Sequence, residues 1–435
     1  MEGKQNEGCS LTTVPLLVCF NEEKHEGDKV CDERGDSHLV SGTSFFKTCF
    51  NGLNALSGVG ILSVPFALAS GGWLSLIILF IIASLTFYTG LLMKRCMDMD
   101  SSIRTYPDIG EHAFGTTGKT IVSITMHLEL FLVATGFLIL EGDNLHNLLP
   151  NMSFEINGFN IGGNQSFVMI VGLIILPTVW LDNMNILSYI SASGVIASMV
   201  LLVSVLWAAT FGGIGFHNKG TLINWRGLPT AISLYAFCYC AHPVFPTLYT
   251  SMRNQKQFFE VLQVCFILCT FCYAAMAVLG YLMFGADLTS QITLNLPTSS
   301  INSKVAIYTT LVNPIAKYAL MVTPIVDAFE TRFISQRCYR RQLSLVIRTT
   351  LVASTIIVAL SLPFFGQLMS LVGAFFSVTA SVILPCLCFL RISRTYQERF
   401  GLELIAICGI VLVGVSIMII GSYVAILDIM ENLKQ

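Results

Sequence analysis

The chain has 435 residues, of which 54% are hydrophobic and only 11% are Asp, Glu, Lys or Arg. Soluble domains carry about 25% charged residues, which they need to cover their surface. The composition therefore excludes a soluble globular enzyme, a nucleic-acid-binding protein and a disulfide-rich secreted domain, and it indicates a polytopic membrane protein whose outer surface faces lipid.

The charged residues are concentrated at the N-terminus. Residues 1–44 hold 13 of the 50 charged residues, nine of them acidic, and one short apolar run, Val14–Phe20. That run is too short for a membrane span and has no basic segment before it, so it does not predict a signal peptide. We expect residues 1–43 to form a disordered, acidic cytosolic tail and residues 44–430 to form one transmembrane domain.

Long apolar runs predict the helices that cross the membrane. Each run is long enough for a hydrocarbon layer of about 30 Å. The predicted fold is an all-α polytopic membrane protein with eleven transmembrane helices, the ninth and tenth separated only by Pro363–Gly366. The runs lie near residues 45–70, 72–94, 119–142, 166–182, 187–211, 229–252, 258–284, 304–330, 345–364, 366–390 and 402–427.

The distribution of Lys and Arg predicts the orientation. With a cytosolic N-terminus and alternating spans, 19 of them lie on the cytosolic side, four on the other side, and Lys317 within a span. Basic loops stay in the cytosol, and an odd number of spans places the C-terminus in the lumen. The 143–165 loop is then lumenal. It holds both Asn-x-Ser sequons, which makes Asn151 and Asn164 candidates for glycosylation.

The 14 cysteines all fall in predicted spans or cytosolic segments, so we expect no disulfide bonds. The pair Cys269 and Cys272 has CxxC spacing but lies inside an apolar helix, where small residues serve packing. We expect no metal ion and no cofactor.

Two predicted spans contain helix-breaking residues. In the first span, Gly58 and Gly60 weaken the helix and Pro65 removes a backbone donor; in the sixth, Pro243 and Pro246 remove two donors. The two spans are five apart, and a duplication of five spans reverses orientation in the membrane. Matching breaks in two halves predict an inverted-repeat transporter with a site at mid-membrane. Two unrelated proline kinks are the alternative.

The predicted breaks expose backbone groups that suit an amino acid. N–H groups around Ser57–Gly60 form the positive end of a helix dipole, which favours a carboxylate. Carbonyl groups freed in the first span, and those of Tyr239 and His242 in the sixth, suit an ammonium group. A site with both features matches the zwitterionic head group of an α-amino acid.

Three ionisable residues lie deep in predicted spans. Lys317 is about 20 Å and Glu129 about 15 Å from the nearer end of its span, at 1.5 Å per residue, and His242 lies at the sixth-span break. Such residues are costly in a membrane and are usually functional. Lys317 is a proton-coupling candidate or a fixed cation between helices. Glu129 is a proton carrier or a buried partner of a lysine or hydroxyl group. His242 is either a histidine that changes its protonation state or one that only packs against its neighbours.

At these residues the sequence resembles the amino acid/auxin permease family, and within it the plant vacuolar amino acid transporter branch. The resemblance implies a five-plus-five inverted repeat like that of bacterial leucine transporters, and secondary active transport of amino acids driven by protons. It covers about residues 44–427. The segments that carry it are Ser44–Pro65, Tyr106–Gly110, Leu138–Asn144, Leu176–Asn183, Ser233–Met252, Gln291–Pro297, Asn313–Pro324 and Leu371–Ala374.

The resemblance also implies site residues. In the family, first-span backbone matching Ala55–Gly58 holds the carboxylate. By analogy with related proton-coupled transporters, Lys317 is a candidate for the place that sodium takes in sodium-coupled relatives. Where the family often has Gly-Gly-His, this chain has Cys240-Ala241-His242. The candidate proton-coupling residues are Lys317, Glu129 and His242. The candidate substrate-binding residues are Asn54, Ala55, Leu56, Ser57, Gly58, Gly60, Phe237, Tyr239, His242 and Asn313.

The expected function is proton-coupled transport of amino acids across the vacuolar membrane, with the plasma membrane or another endomembrane as alternatives. Neutral amino acids are expected because no acidic side chain is dedicated to a second ammonium group. A membrane nutrient sensor that binds amino acids but transports little is the alternative. The sequence has no motif of an intramembrane enzyme and no recurring ring of like charges as in a channel. Symport and antiport both stay open.

Overall fold

The computed structural model describes residues 42–152, 154–156, 159–180, 184–333, 340–395 and 401–434. The predicted tail lies outside the described residues up to position 41. The strands, β1 (Phe154–Ile156) and β2 (Phe159–Ile161), form one antiparallel ribbon. The helices are α1 (Phe45–Leu56), α2 (Gly60–Gly71), α3 (Ser75–Met99), α4 (Tyr106–Leu148), α5 (Gly163–Trp180), α6 (Met184–Thr210), α7 (Leu228–Cys238), α8 (Phe245–Ser251), α9 (Phe258–Phe284), α10 (Ile301–Phe333), α11 (Arg340–Ser361), α12 (Phe365–Leu371), α13 (Leu384–Thr395) and α14 (Leu402–Asn432).

The helices confirm a polytopic membrane protein. Within the described residues, nine helical segments are long and apolar enough to cross a membrane, and the bent pair α1–α2 makes a tenth. Helix α6 coincides with the fifth predicted span and is apolar from Gly194 to Thr210. Since α11 ends at Ser361 and α12 begins at Phe365, the ninth and tenth predicted spans are indeed separate. The total of eleven spans and the inverted repeat stay predictions.

The outer surface is apolar, as lipid requires. Phe271 of α9 is 76% exposed and Leu412 of α14 is 69% exposed. Such a surface would drive aggregation in water, and it is stable where hydrocarbon covers it.

The broken spans lie together in the interior. Helix α2 packs against α7 and α9, α1 packs against α9, and α10 packs against α6 and α4. The tenth predicted span is irregular as well: π-helical turns at Val372–Ser377 and Thr379–Ile383 join α12 to α13. Turns of this kind are rare and frequently occur at functional sites.

A short backbone bridge joins the residue before the start of the first broken span to the end of the sixth. The Thr43 N–H donates to the Ser251 carbonyl at 2.8 Å, and the Arg253 N–H donates to the Thr43 carbonyl at 3.1 Å. Thr43, which the sequence assigned to the tail, therefore contacts the helical domain.

The two sequons differ in accessibility, so we predict glycosylation at Asn151 alone. Asn151 is exposed, whereas Asn164 Nδ2, the atom that a glycan would modify, donates to Asp143 Oδ1 at 2.6 Å. We expect Asn151→Gln to remove the endoglycosidase-sensitive gel shift and Asn164→Gln to leave it unchanged. A shift that is lost only in Asn164→Gln would contradict this assignment.

Candidate functional site

The first predicted span is interrupted at its glycines. Helix α1 ends at Leu56, α2 begins at Gly60, and the pair is bent by 51°. Residues 57–59, the first-span break, are not helical: the Gly58 N–H donates to the Leu56 carbonyl at 2.9 Å. The predicted break is therefore confirmed. It leaves carbonyl groups at the end of α1 and N–H groups at the start of α2 without helical partners.

The carbonyl groups at the end of α1 already accept hydrogen bonds from the protein. Lys317 Nζ donates to the carbonyl of Ser57 at 3.0 Å and to that of Asn54 at 3.4 Å. The Tyr273 hydroxyl donates to the carbonyl of Leu56. The sequence predicted that these carbonyls would receive a substrate ammonium group. They receive the lysine ammonium instead, because Lys317 is 4% exposed and an unpaired buried charge is costly.

The N–H groups at the start of α2 have a different environment. Those of Ser57 and Gly58 donate back into α1. Those of Gly60 and Ile61 have no acceptor one turn earlier in their own helix, and they lie at the positive end of its dipole. The position suited to an anion is therefore the start of α2, slightly later in the chain than the sequence predicted.

The sixth predicted span is also broken, but its carbonyl groups are not free. Helix α7 ends at Cys238, and residues 239–241, the sixth-span break, lead into a 3₁₀ turn before α8. The carbonyls of Tyr239 and His242 accept bonds from N–H groups two and three residues further along. The prediction that the prolines free these two carbonyls is wrong, because the tight turn supplies new donors.

A cavity of about 130 Å³, the central cavity, lies between the two breaks. It is mainly apolar, and its ionisable carboxyl and amine groups are those of Glu129 and Lys317. The breaks form one part of its wall and helices α4, α9 and α10 the rest. It is lined by Asn54, Ala55, Leu56, Gly58, Val59, Gly60, Met126, Glu129, Leu130, Val133, Phe137, Phe237, Cys238, Cys240, Pro243, Val244, Tyr273, Lys317, Leu320, Met321 and Pro324.

Most of the predicted site residues line this cavity, but four do not. Ser57 Oγ donates to Ser198 Oγ at 2.7 Å, and the Tyr239 hydroxyl donates to Thr270 Oγ1 at 2.9 Å. Asn313 lines a separate pocket of about 20 Å³ on the other side of the first-span break. His242 is the fourth. Those that line the central cavity are Asn54, Ala55, Leu56, Gly58, Gly60, Phe237, Glu129 and Lys317.

His242 is a packed residue in this structure. Its Nε2 lies 2.9 Å from Thr89 Oγ1 and 3.1 Å from the Thr86 carbonyl of α3, and its ring centroid is 4.8 Å from that of Phe245. It is fully buried. Its contacts therefore hold the sixth-span break against α3 and favour the packing alternative over titration.

Glu129 is bound by hydroxyl and thiol groups. Its Oε1 accepts from Ser377 Oγ at 2.6 Å and from Cys240 Sγ at 2.8 Å. Ser377 lies on the π-helical segment and Cys240 on the sixth-span break, so the carboxyl joins three elements. Lys317 donates to the α1 carbonyls and not to Glu129. Of the two partners predicted for Glu129, a lysine or a hydroxyl group, the structure shows the hydroxyl group of Ser377.

Sequence reasoning missed several residues of the site. Cys240 was noted only as a departure from a family motif, although its thiol faces both the cavity and Glu129. Ser377 carries no local signal, because a serine in an apolar helix is common. Tyr273 is marked only by its hydroxyl group in an otherwise apolar span. Their partners are 248 and 217 residues away in the chain, which no local pattern could reveal.

Comparisons with known proteins place the chain among amino acid transporters. A family model described as "Transmembrane amino acid transporter protein" matches residues 41–427. "Amino acid transporter AVT1J" from Arabidopsis thaliana is 60% identical over 405 residues, which are 92% of this chain and 96% of that protein. "Amino acid transporter AVT1I" from the same plant is 58% identical over 393 residues, or 90% and 97%. The "Vesicular GABA transporter" of Caenorhabditis elegans is 26% identical over 441 residues, or 96% and 87%.

The fold and the site define a class, a multi-pass helical membrane protein with a solute-sized cavity between two broken spans. The chain belongs to the transmembrane amino acid transporter family, which confirms the resemblance seen in its first span. These relatives are named as transporters and not as enzymes.

Substitution of Gly58, in the first-span break, and of Gly60, the first residue of α2, should have different effects. A Cβ at Gly58 would have no atom within 4 Å, so Gly58→Ala fits the protein and places a methyl group in the space that a substrate would use. We expect normal amounts of folded protein and amino acid uptake reduced about tenfold or more, a loss of about 1.4 kcal/mol of binding.

Gly60→Ala is the matched control. A Cβ there would lie 2.7 Å from Cys238 Sγ and 3.2 Å from Cys238 Cα, so this variant should unfold at a lower temperature. The sequence predicted that both glycines admit a ligand; both line the central cavity, and Gly60 in addition packs against Cys238, which leaves no room there for a side chain. Uptake by Gly58→Ala equal to that of the unmodified protein would remove the first-span break from the site.

Proposed function

We propose that this protein is a secondary active transporter that moves neutral amino acids by alternating access, coupled to protons, across the vacuolar membrane. The observation that carries the proposal is the central cavity, which places the first-span break, the sixth-span break, one carboxyl and one amine around a single space. Breaks of this kind at mid-membrane are where inverted-repeat transporters bind substrate and coupling ion.

The lining supports neutral substrates. Apart from Glu129, Lys317, Asn54 and Tyr273, the cavity is bounded by backbone and by apolar or weakly polar side chains such as Phe137, Phe237 and Met321. The amine is held by the α1 carbonyls, so one carboxyl remains for the head group. A second charge on the substrate side chain would meet apolar walls without compensation, which is costly.

Two of the three proton-coupling candidates are well placed. Lys317 and Glu129 both line the central cavity and are 4% and 5% exposed, so a conformational change that admits water would alter the protonation equilibrium of either. His242 lies outside the cavity lining and is held by α3. Membrane and orientation follow from the sequence: the resemblance of the first span supports the vacuole, and the Lys and Arg distribution supports a cytosolic N-terminus and a lumenal C-terminus.

Uptake of a panel of labelled amino acids into vacuolar vesicles tests this function. We expect accumulation of neutral amino acids that a proton uncoupler abolishes, because each pH unit is worth about 1.4 kcal/mol per proton. Accumulation that is insensitive to the uncoupler would contradict proton coupling. Binding without counterflow in proteoliposomes would favour the sensor.

Lys317→Ala separates coupling from packing. If the lysine couples protons to transport, proton-driven accumulation is lost while amino acid exchange continues. Lys304→Ala is the matched control, because Lys304 is an exposed lysine of the same helix. Full retention of accumulation in Lys317→Ala would remove the lysine from coupling. Loss of exchange together with loss of folded protein would assign it a purely structural role.

A further inference from the structure

We infer that the Glu129 carboxylate binds the α-ammonium group of the amino acid, and that a proton competes with the substrate for this carboxyl. The inference rests on the proposed function and names a role within the same site. An amino acid in the central cavity needs an acceptor for its ammonium group. The backbone carbonyls that the sequence predicted for this role already accept hydrogen bonds from protein groups.

Five backbone carbonyl groups in or beside the two breaks have donors within the protein. Lys317 occupies the carbonyls of Ser57 and Asn54, and the Tyr273 hydroxyl occupies that of Leu56. At the sixth-span break, backbone N–H groups occupy the two carbonyls that the prolines were predicted to free. Each carbonyl oxygen has a second lone pair, but an ammonium group that shared the α1 carbonyls would lie beside the Lys317 ammonium group, and the two like charges would repel.

Glu129 offers an acceptor of a different kind, a carboxyl. Its carboxyl lines the cavity, and the donors that it has, Cys240 and Ser377, are neutral groups bonded to the same oxygen, Oε1. Within the described residues no cation forms an ion pair with it. A buried carboxylate without a counter-ion is costly, so either a proton or a substrate ammonium group should supply the charge.

The carboxyl and the anion site lie on either side of one short segment. Cys240 Sγ bonds Glu129 at 2.8 Å, and two residues earlier Cys238 packs against Gly60, where α2 begins. Glu129 and Gly60 also line the same central cavity, so a molecule whose carboxylate meets the start of α2 can direct its ammonium group toward Glu129 within that space.

The other titratable groups around the cavity do not offer the same chemistry. Lys317 is a cation, Tyr273 and the Cys238 thiol are neutral, and the Cys240 thiol is a donor to Glu129. On α4 itself, the Tyr106 hydroxyl bonds the Ala380 carbonyl, and His127 and Glu141 lie outside the cavity lining. His242, in the 3₁₀ turn before α8, is held against α3 by Thr89 Oγ1 and the Thr86 carbonyl and lies outside the cavity lining. Because one carboxyl accepts either partner, the arrangement favours exchange of proton for amino acid over symport.

Binding of labelled leucine to the purified full-length protein, with 4-methylpentanoate as the same molecule without its ammonium group, tests this. When the pH is lowered from about 8 to about 5, the proton concentration rises about a thousandfold, while an exposed carboxyl stays mostly ionised. We therefore expect the affinity for leucine to fall over this range. In Glu129→Gln, affinity should be about tenfold or more lower, since hydrogen bonds to charged groups contribute about 1.5–3 kcal/mol. The variant should also lose the pH dependence and the preference for leucine over 4-methylpentanoate.

Glu141→Gln is the matched control, because Glu141 is a second fully buried carboxyl of α4 outside the cavity lining, and it should change none of these readouts. If Glu129→Gln does not fold, Glu129→Asp keeps the charge one methylene further away and should weaken leucine while retaining the pH dependence. Leucine affinity in folded Glu129→Gln equal to that of the unmodified protein overturns the inference and leaves the proposed function intact. Failure of the unmodified protein to bind any neutral amino acid of a panel would instead overturn both.

Discussion

The site depends on one interaction, the ammonium group of Lys317 bonded to the carbonyls at the end of α1. A helix that stops inside a membrane leaves carbonyl groups that hydrocarbon cannot satisfy. A lysine buried at the same depth has a charge that needs acceptors. The lysine ammonium group supplies the donors that the carbonyls lack, and the carbonyls supply the acceptors that the charge needs. These hydrogen bonds hold α10 against the first-span break. Gly194 of α6 permits this packing, because a Cβ there would lie 2.9 Å from Lys317 Cε.

This pairing determines the polarity of the central cavity. The Lys317 ammonium group satisfies the carbonyls at the end of α1, so the start of α2 remains as the electropositive end of the break and Glu129 remains as the carboxyl of the lining. The cavity therefore presents one anion site and one carboxyl within mainly apolar walls. That arrangement matches a zwitterion with a neutral side chain.

The sequence predicted those features that depend on local chemistry. Apolar runs gave the helices, and Gly58, Pro243 and their neighbours gave both breaks, because the loss of donors and of helix propensity is a property of the residues themselves. The buried positions of Lys317 and Glu129 followed from their depth in apolar runs. The helical, polytopic fold was therefore largely predictable, whereas the total of eleven spans stays a prediction.

What the sequence could not predict are the partners across the bundle. It left Lys317 and Glu129 open to pairing with each other, whereas one meets carbonyls about 260 residues earlier and the other a serine 248 residues later. It treated Tyr239 and His242 as part of the substrate site, but their side chains turn to α9 and α3. Periodicity gives depth in the membrane and does not give the rotation of one helix relative to the next, which decides these contacts.

An experimentally determined structure of the protein with a bound neutral amino acid tests the central claim most directly. The account predicts that the substrate carboxylate meets the N–H groups at the start of α2 while Lys317 stays bonded to the carbonyls of Asn54 and Ser57. A substrate carboxylate paired with Lys317, with the α1 carbonyls bonded to the substrate ammonium group, would contradict it.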